Sequence, residues 1–208
     1  MQRLTWKEGL LARLDARAGA APVALPPAAE WAGLMADDYA FRRVRARGVY
    51  EGADALVFAG PASIDRGPAQ PGYFVLTPFR LADGGVVLVN RGFAPMELAE
   101  KGGYAPPPAG ETGIVGLMRP PERRGPFTPA DEPGRGRFFT QDAAAIAAAR
   151  GLADAAPFAV DLDDSGPGWP RGGVGAQRPP NNHLSYALTW FGLAAALAVF
   201  FVVWARRR

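Results

Sequence analysis

The single imidazole of the chain, His183, opens an apolar stretch in which Tyr186, Ala187 and Trp190 follow three, four and seven residues later. At helical spacing these positions share one face. A histidine in the first helical turn feels the positive end of the helix dipole, which disfavours the protonated ring and leaves a nitrogen lone pair available to a metal. A flat apolar macrocycle could rest on such a face, with Trp190 at the depth that interfacial indoles prefer, so axial ligation of haem iron is one chemistry within reach. A helix cap or an interfacial hydrogen-bonder is the other reading of a lone histidine there.

A second set of residues is Asn90-Arg91-Gly92. Arg91 can meet a carboxylate through charge-assisted hydrogen bonds, or it can form a structural ion pair while Gly92 supplies a backbone conformation closed to other residues. Trp169-Pro170-Arg171 has the composition of a loop that anchors at lipid headgroups. Other chemistries are excluded. Cysteine is absent and methionine occurs four times, scattered, so disulfides, thiolate catalysis, iron–sulfur clusters and copper delivery find no ligands. No nucleophile, base and orienting group come together in the sequence, and an enzyme is not expected. The formal charge is +3, with arginines dispersed among acids, which forms no nucleic-acid stripe.

These residues need elements to hold them. Leu184 to Ala205 is a run of about 22 residues without a charge, the length that crosses a hydrocarbon layer as a helix. Pro179 and Pro180 block an earlier start, Asn181 or Asn182 can cap the first turn, and Arg206, Arg207 and Arg208 close the far end. Residues 181–208 are therefore expected to form a transmembrane helix with a cytoplasmic arginine tail, placing His183 and everything before it outside the cytoplasm. Gly192, Ala195, Ala196 and Val199 form a seam of small residues along it that would admit a second helix.

Residues 20–180 read as a β-rich domain. Short apolar runs bounded by Gly, Pro or Asp fall at Tyr39 to Tyr50, Ala55 to Ala59, Gly72 to Arg80, Val86 to Arg91, Glu111 to Met118 and Phe158 to Leu162. Asp83-Gly84 between the third and fourth of these signals a hairpin. The alanine-rich stretch from Asp142 to Arg150 predicts one peripheral helix, stopped by Gly151. The expected fold is mainly β (α+β), a small antiparallel sheet or partly closed barrel. Loops at Ala105 to Ala109 and Pro120 to Gly136 are rich in proline and should be extended or irregular. Residues 1–19 are expected to form an amphipathic helix on the spacing of Trp6, Leu10 and Leu14.

Several motifs, taken in order, resemble the surfeit-locus-protein-one family of cytochrome c oxidase assembly factors. Asn181-Asn182-His183-Leu184-Ser185-Tyr186-Ala187-Leu188-Thr189-Trp190-Phe191-Gly192 is similar to the family's entry into its second transmembrane helix. Gly72-Tyr73-Phe74-Val75-Leu76-Thr77-Pro78, Val89-Asn90-Arg91-Gly92-Phe93, Gly168-Trp169-Pro170-Arg171-Gly172-Gly173 and the opening Trp6-Lys7 helix followed by Pro22 to Pro27 also fit. Phe93 stands where tryptophan is common in the family, and Arg137 to Asp142 lacks a Trp-type residue. The resemblance implies a membrane chaperone of respiratory complex IV biogenesis that binds haem a, with His183 as iron ligand and Tyr186, Trp190 and Arg91 beside the cofactor. Its partners would be the catalytic oxidase subunit, the lipid bilayer and possible haem a synthesis machinery. It would sit in the bacterial inner membrane with its domain periplasmic, or equivalently in the mitochondrial inner membrane. A haem-free scaffold that stabilises an assembly intermediate is the alternative. The family's topology also leads to the expectation of a first transmembrane helix preceding Met1, which no apolar run after Met1 supplies.

Overall fold

A computed structural model describes residues 16–62, 69–173 and 183–207. The chain divides into two compact units, residues 1–175 and residues 176–208. In the first unit the six expected strands form, five of them extending beyond their sequence limits, and two short unexpected ones join them. In chain order the strands are β1 (Val23–Ala24), β2 (Arg43–Tyr50), β3 (Ala55–Ala62), β4 (Gln70–Leu81), β5 (Val86–Pro95), β6 (Glu111–Arg119), β7 (Arg137–Phe138) and β8 (Ala155–Leu162). Short helices intervene: α1 (Ala36–Tyr39), α2 (Met96–Glu100) and α3 (Ala143–Ala149), with 3-10 turns at Ala28–Gly33 and Pro133–Arg135. Of the amphipathic helix expected over 1–19, only residues 16–19 are described, and they are helical through Ala18.

The strands lie in the order β1-β2-β6-β8-β5-β4-β3-β7, with β2 also pairing with β4. Gly48, Val49 and Tyr50 pair with Leu81, Arg80 and Phe79. The pairings β2–β6–β8–β5–β4–β2 thus close a circuit of five strands. Each of the five contributes to one buried cluster: Val44 from β2, Phe79 and Leu81 from β4, Val87 and Val89 from β5, Ile114 and Met118 from β6, Phe158 and Val160 from β8. Trp31 and Tyr39 plug the cluster from the 3-10 turn and α1, their rings 5.8 and 5.3 Å from that of Phe158.

The expected hairpin is present, with β4 antiparallel to β5 and Arg80 opposite Val86. At its turn Gly85 has φ 84, and a Cβ there would lie 2.6 Å from the Trp31 ring. Alternation accounts for the uninterrupted apolar run of β5. Val87 and Val89 face the cluster within the circuit, whereas Leu88 packs with Ala143 and Ile146 of α3 in a second cluster, so both faces of the strand are covered. Asp142 caps α3 by accepting from the Ala145 amide at 3.1 Å, an arrangement worth about 1 kcal/mol.

Two expectations need correction. The antiparallel reading holds for most pairings, but β5–β8 is parallel, as are the short β1–β2 and β3–β7 pairs. The reason is topological: β8 slots between β5 and β6 and runs antiparallel to β6, which fixes its direction relative to β5. The strand expected from Tyr39 begins only at Arg43. Phe41 adopts a left-handed φ of 59, its amide donating to the Met118 carbonyl at 2.8 Å, and the Arg119 guanidinium lies 5.2 Å from its ring centroid. That contact and the amide bond offset a backbone strain of about 1–3 kcal/mol.

In the second unit, α4 (His183–Arg206) runs for 24 residues. Trp190, Phe191, Leu193, Leu197, Val202, Val203 and Trp204 are all exposed along it. Among the described residues no helix is long and apolar enough to cross a membrane. The side chains at 183–188, 195, 196 and 198–201 of α4 lie outside that description.

Candidate functional site

Of the residues singled out from the sequence, Arg91 lies in the first unit and His183, Tyr186 and Trp190 lie on the helix of the second. The backbone of all three helix positions is helical, as expected. The side chains of His183 and Tyr186 fall outside the described residues, and Trp190 is 70% exposed. The chemistry that can be followed atom by atom is therefore at Arg91.

Arg91 sits on an irregularity of β5. Phe74 pairs with Phe93 and Leu76 with Asn90, so Val75 alone faces both Arg91 and Gly92. Such a bulge bends a strand and re-aims its side chains. Gly92 makes it possible. Its φ is 122, and an added Cβ would lie 2.0 Å from the Arg171 carbonyl oxygen. The Gly92 amide donates to Asn90 Oδ1 at 2.9 Å. On either side of that contact Phe93 and Arg171 exchange backbone hydrogen bonds of 2.9 and 2.8 Å, tying β5 to the loop that carries Trp169. The sequence expectation that Gly92 holds a conformation closed to other residues is met. The Trp169 ring lies 6.3 Å from Phe93 and under the Arg171 guanidinium, whose carbon is 4.8 Å from its centroid.

The re-aimed Arg91 side chain is buried, with 5% of its surface exposed. One terminal nitrogen, Nη2, donates to the Ala105 carbonyl of the proline-rich loop. The other, Nη1, lies 3.9 Å from Asp54 Oδ2 and has no hydrogen-bond partner. Asp54 is itself held: Thr77 Oγ1 donates to it at 2.5 Å and the Tyr104 hydroxyl at 2.9 Å. Burial, and then the Asp54 charge and hydrogen bond, push the Tyr104 hydroxyl well above its ordinary range. Beside Arg91, burial pushes the Tyr50 hydroxyl up to about 12, with the guanidinium charge opposing the rise. Tyr50, Arg91, Pro106, Thr112, Asp164 and Ser165 line a cleft of about 260 Å³.

Behind this cleft lies a buried polar hub. Asp161 of β8 accepts from Asn90 Nδ2 and Gln141 Nε2, both at 2.9 Å, and from Arg119 Nε at 2.7 Å. The hub fixes the start of the bulge, because Asn90 is held by Asp161 on one side and holds the Gly92 amide on the other. Sequence reasoning named Arg91 and Gly92 but not Asp54, Tyr50, Tyr104 or Asp161. A readable signal existed for Asp161, an acid within the apolar strand run of β8, which a buried strand tolerates only with partners.

The arrangement can bind a carboxylate. A buried guanidinium with one nitrogen lacking a hydrogen bond, at a cleft edged by hydroxyl groups, has an unspent donor for an acidic oxygen. No group of three or more acidic, histidine or cysteine side chains suited to a metal ion occurs among the described residues.

The family model described as the SURF1 family matches residues 1–195. Among curated proteins, Surfeit locus protein 1 of Mus musculus is 33% identical over 214 residues, covering 94% of this chain and 66% of that protein. Surfeit locus protein 1 of Homo sapiens is 33% identical over 215 residues, covering 94% and 68% respectively. The SURF1-like protein of Monosiga brevicollis is 33% identical over 219 residues, covering 97% and 78%. The chain thus spans about two thirds of the length of its mammalian relatives. With a family match that takes in both the Arg91 bulge and the His183 helix entry, this chain belongs to the SURF1 family.

Proposed function

We propose that this protein assists the biogenesis of cytochrome c oxidase as a membrane-anchored factor that holds haem a for the catalytic subunit. The observation that carries the reading is the SURF1 family match over residues 1–195, which spans the motifs tied by resemblance to that role. α4 supports the anchoring. Its exposed apolar side chains, Trp190, Phe191, Leu193 and Leu197 among them, need a non-aqueous surround. With Arg206, Arg207 and Arg208 on the cytoplasmic side, the β domain is extracytoplasmic. The closed circuit of strand pairings is read as a small, partly closed barrel.

Arg91, in the first unit, fits the acidic edge of the cofactor, offering its unspent Nη1 donor to a propionate carboxylate; His183, in the second unit, is assigned to the iron by the family resemblance alone. Bound haem a supplies the redox-active iron that the oxidase requires. In the first unit the chain's own part would be to accept an acidic edge at Arg91; in the second, His183, Tyr186 and Trp190 are the positions that the family resemblance assigns to the iron and the apolar ring.

Purification of the full chain from cells that make haem a tests this. A haem a spectrum that is lost in His183→Ala is the expected result. A catalytic oxidase subunit that copurifies without pigment would replace cofactor handling with a haem-free scaffold, and normal oxidase spectra after gene deletion would remove both.

A further inference from the structure

Phe127 is 96% exposed, more than any other large apolar side chain among the described residues. It stands on a built turn. The Thr128 amide donates to the Gly125 carbonyl at 3.2 Å and the Gly125 amide donates to Thr128 Oγ1 at 3.0 Å, with Pro126 and Phe127 at the two central positions. Arg124 clamps the base of the turn by donating to the Pro129 carbonyl and to Asp131 Oδ2. Asp131 Oδ1 in turn accepts from the Phe139 amide at 2.8 Å. Glu122 and Gln141 close the neck through bonds of 3.1 and 3.2 Å, and Gln141 reaches the buried Asp161. A phenyl ring in water at the tip of a mobile loop would need no account. Here the chain spends a proline, an arginine clamp and a link to the polar hub on holding that ring outward.

The surroundings indicate what receives the ring. Pro126, Pro129 and Ala130, its neighbours in sequence, are also exposed, so the turn presents several apolar positions to solvent. Of the three acids in this segment, Asp131 pairs with Arg124 and Glu132 with Arg135, while Glu122 accepts from the Gln141 amide. Arg123 is exposed and makes no ion pair among the described residues. An aromatic tip with a free cation at its base matches the boundary between anionic headgroups and acyl chains. A single ring presented on a turn also needs no shape-matched pocket, unlike an anchor for a protein partner.

We infer that the Gly125–Thr128 turn is an interfacial lipid anchor, in which Phe127 enters the headgroup–acyl boundary of an anionic bilayer and Arg123 pairs with headgroup phosphates. The inference is independent of haem and adds a second contact to the anchoring proposed for α4.

The chain has no native cysteine, so Phe127→Cys carries one environment-sensitive fluorophore without further changes, and Asp83→Cys in the β4–β5 turn serves as reference. The full chain is reconstituted into phosphatidylglycerol vesicles with and without doxyl-labelled lipid, and flotation is scored first. The expected result is that the label at 127 brightens several-fold, shifts to the blue and is quenched by doxyl lipid, while the label at 83 does none of these. Adding Arg123→Glu should reduce the quenching at 127. A chain that floats with label 127 still in water overturns the inference and leaves the α4 anchor standing. A chain that fails to float, with both labels in water, overturns both. A label at 127 that moves to an apolar environment only when the catalytic oxidase subunit is added assigns the tip to a protein partner, and the lipid assignment falls.

Discussion

At the scale of single residues, the bulge at Arg91 depends on Gly92. Alanine there would meet the Arg171 carbonyl and hold an unfavourable φ of 122, so Gly92→Ala should cost about 3 kcal/mol or more, read as a lowered denaturation midpoint. The tyrosines nearby set an alkaline limit. Tyr50 holds its proton up to about 12 in the folded chain against an ordinary value of 10.0. The stability it contributes is complete below the unfolded value and is lost as pH rises through the folded one. Tyrosinate absorbance should therefore appear late for Tyr50, and unfolding should set in between about pH 10 and 12. Tyr50→Phe keeps the ring near Phe79, 4.8 Å away, and should flatten that alkaline loss. Arg91 and Gly92 were legible in the sequence because they are adjacent and of unusual types. Their partners were not, since Asp161 lies 71 positions from Asn90 and Asp54 lies 50 from Tyr104, and only the fold brings them together.

At the scale of elements, alternation and turn chemistry made β2 to β6 and the β4–β5 hairpin readable, and high alanine content made α3 readable. Asp142→Ala should lower stability by about 1 kcal/mol through loss of the cap on α3, measurable by chemical denaturation. What escaped were the elements whose existence depends on distant surfaces. β7 is two residues laid parallel against β3, and α1 forms where Tyr39 packs into the core. Neither is long enough to leave a periodic pattern. The direction of β8 was equally invisible, because it follows from its slot between β5 and β6 and not from its own residues. Closure of the circuit rests on Gly48, where a Cβ would lie 2.0 Å from the Arg80 carbonyl oxygen. Gly48→Val should part β2 from β4, and amide exchange at Val49 and at Ala82, whose amide donates to the Arg47 carbonyl at 3.0 Å, should rise while exchange at Val89 in the middle of β5 stays slow.

At the scale of the whole molecule, the two compact units predict separable behaviour. Leu197→Arg places a charge near the middle of the uncharged run of α4, at a cost of about 3 kcal/mol on the scale of translocon insertion. It should release the chain from carbonate-washed membranes without unfolding the β unit, which circular dichroism of the released fraction would check. The β unit carries its own constraint from the order in which it is made. The strand that completes its circuit, β8, occupies a central slot yet is the last strand in sequence. While the chain emerges from the ribosome, β5 and β6 wait with bare hydrogen-bonding edges until residues 155–162 appear, and such edges invite pairing with other chains. Synthesis arrested before Ala155 should therefore yield aggregates or proteolysis and not a smaller stable core, so a stop codon three quarters of the way along this reading frame would be as damaging as one near its start.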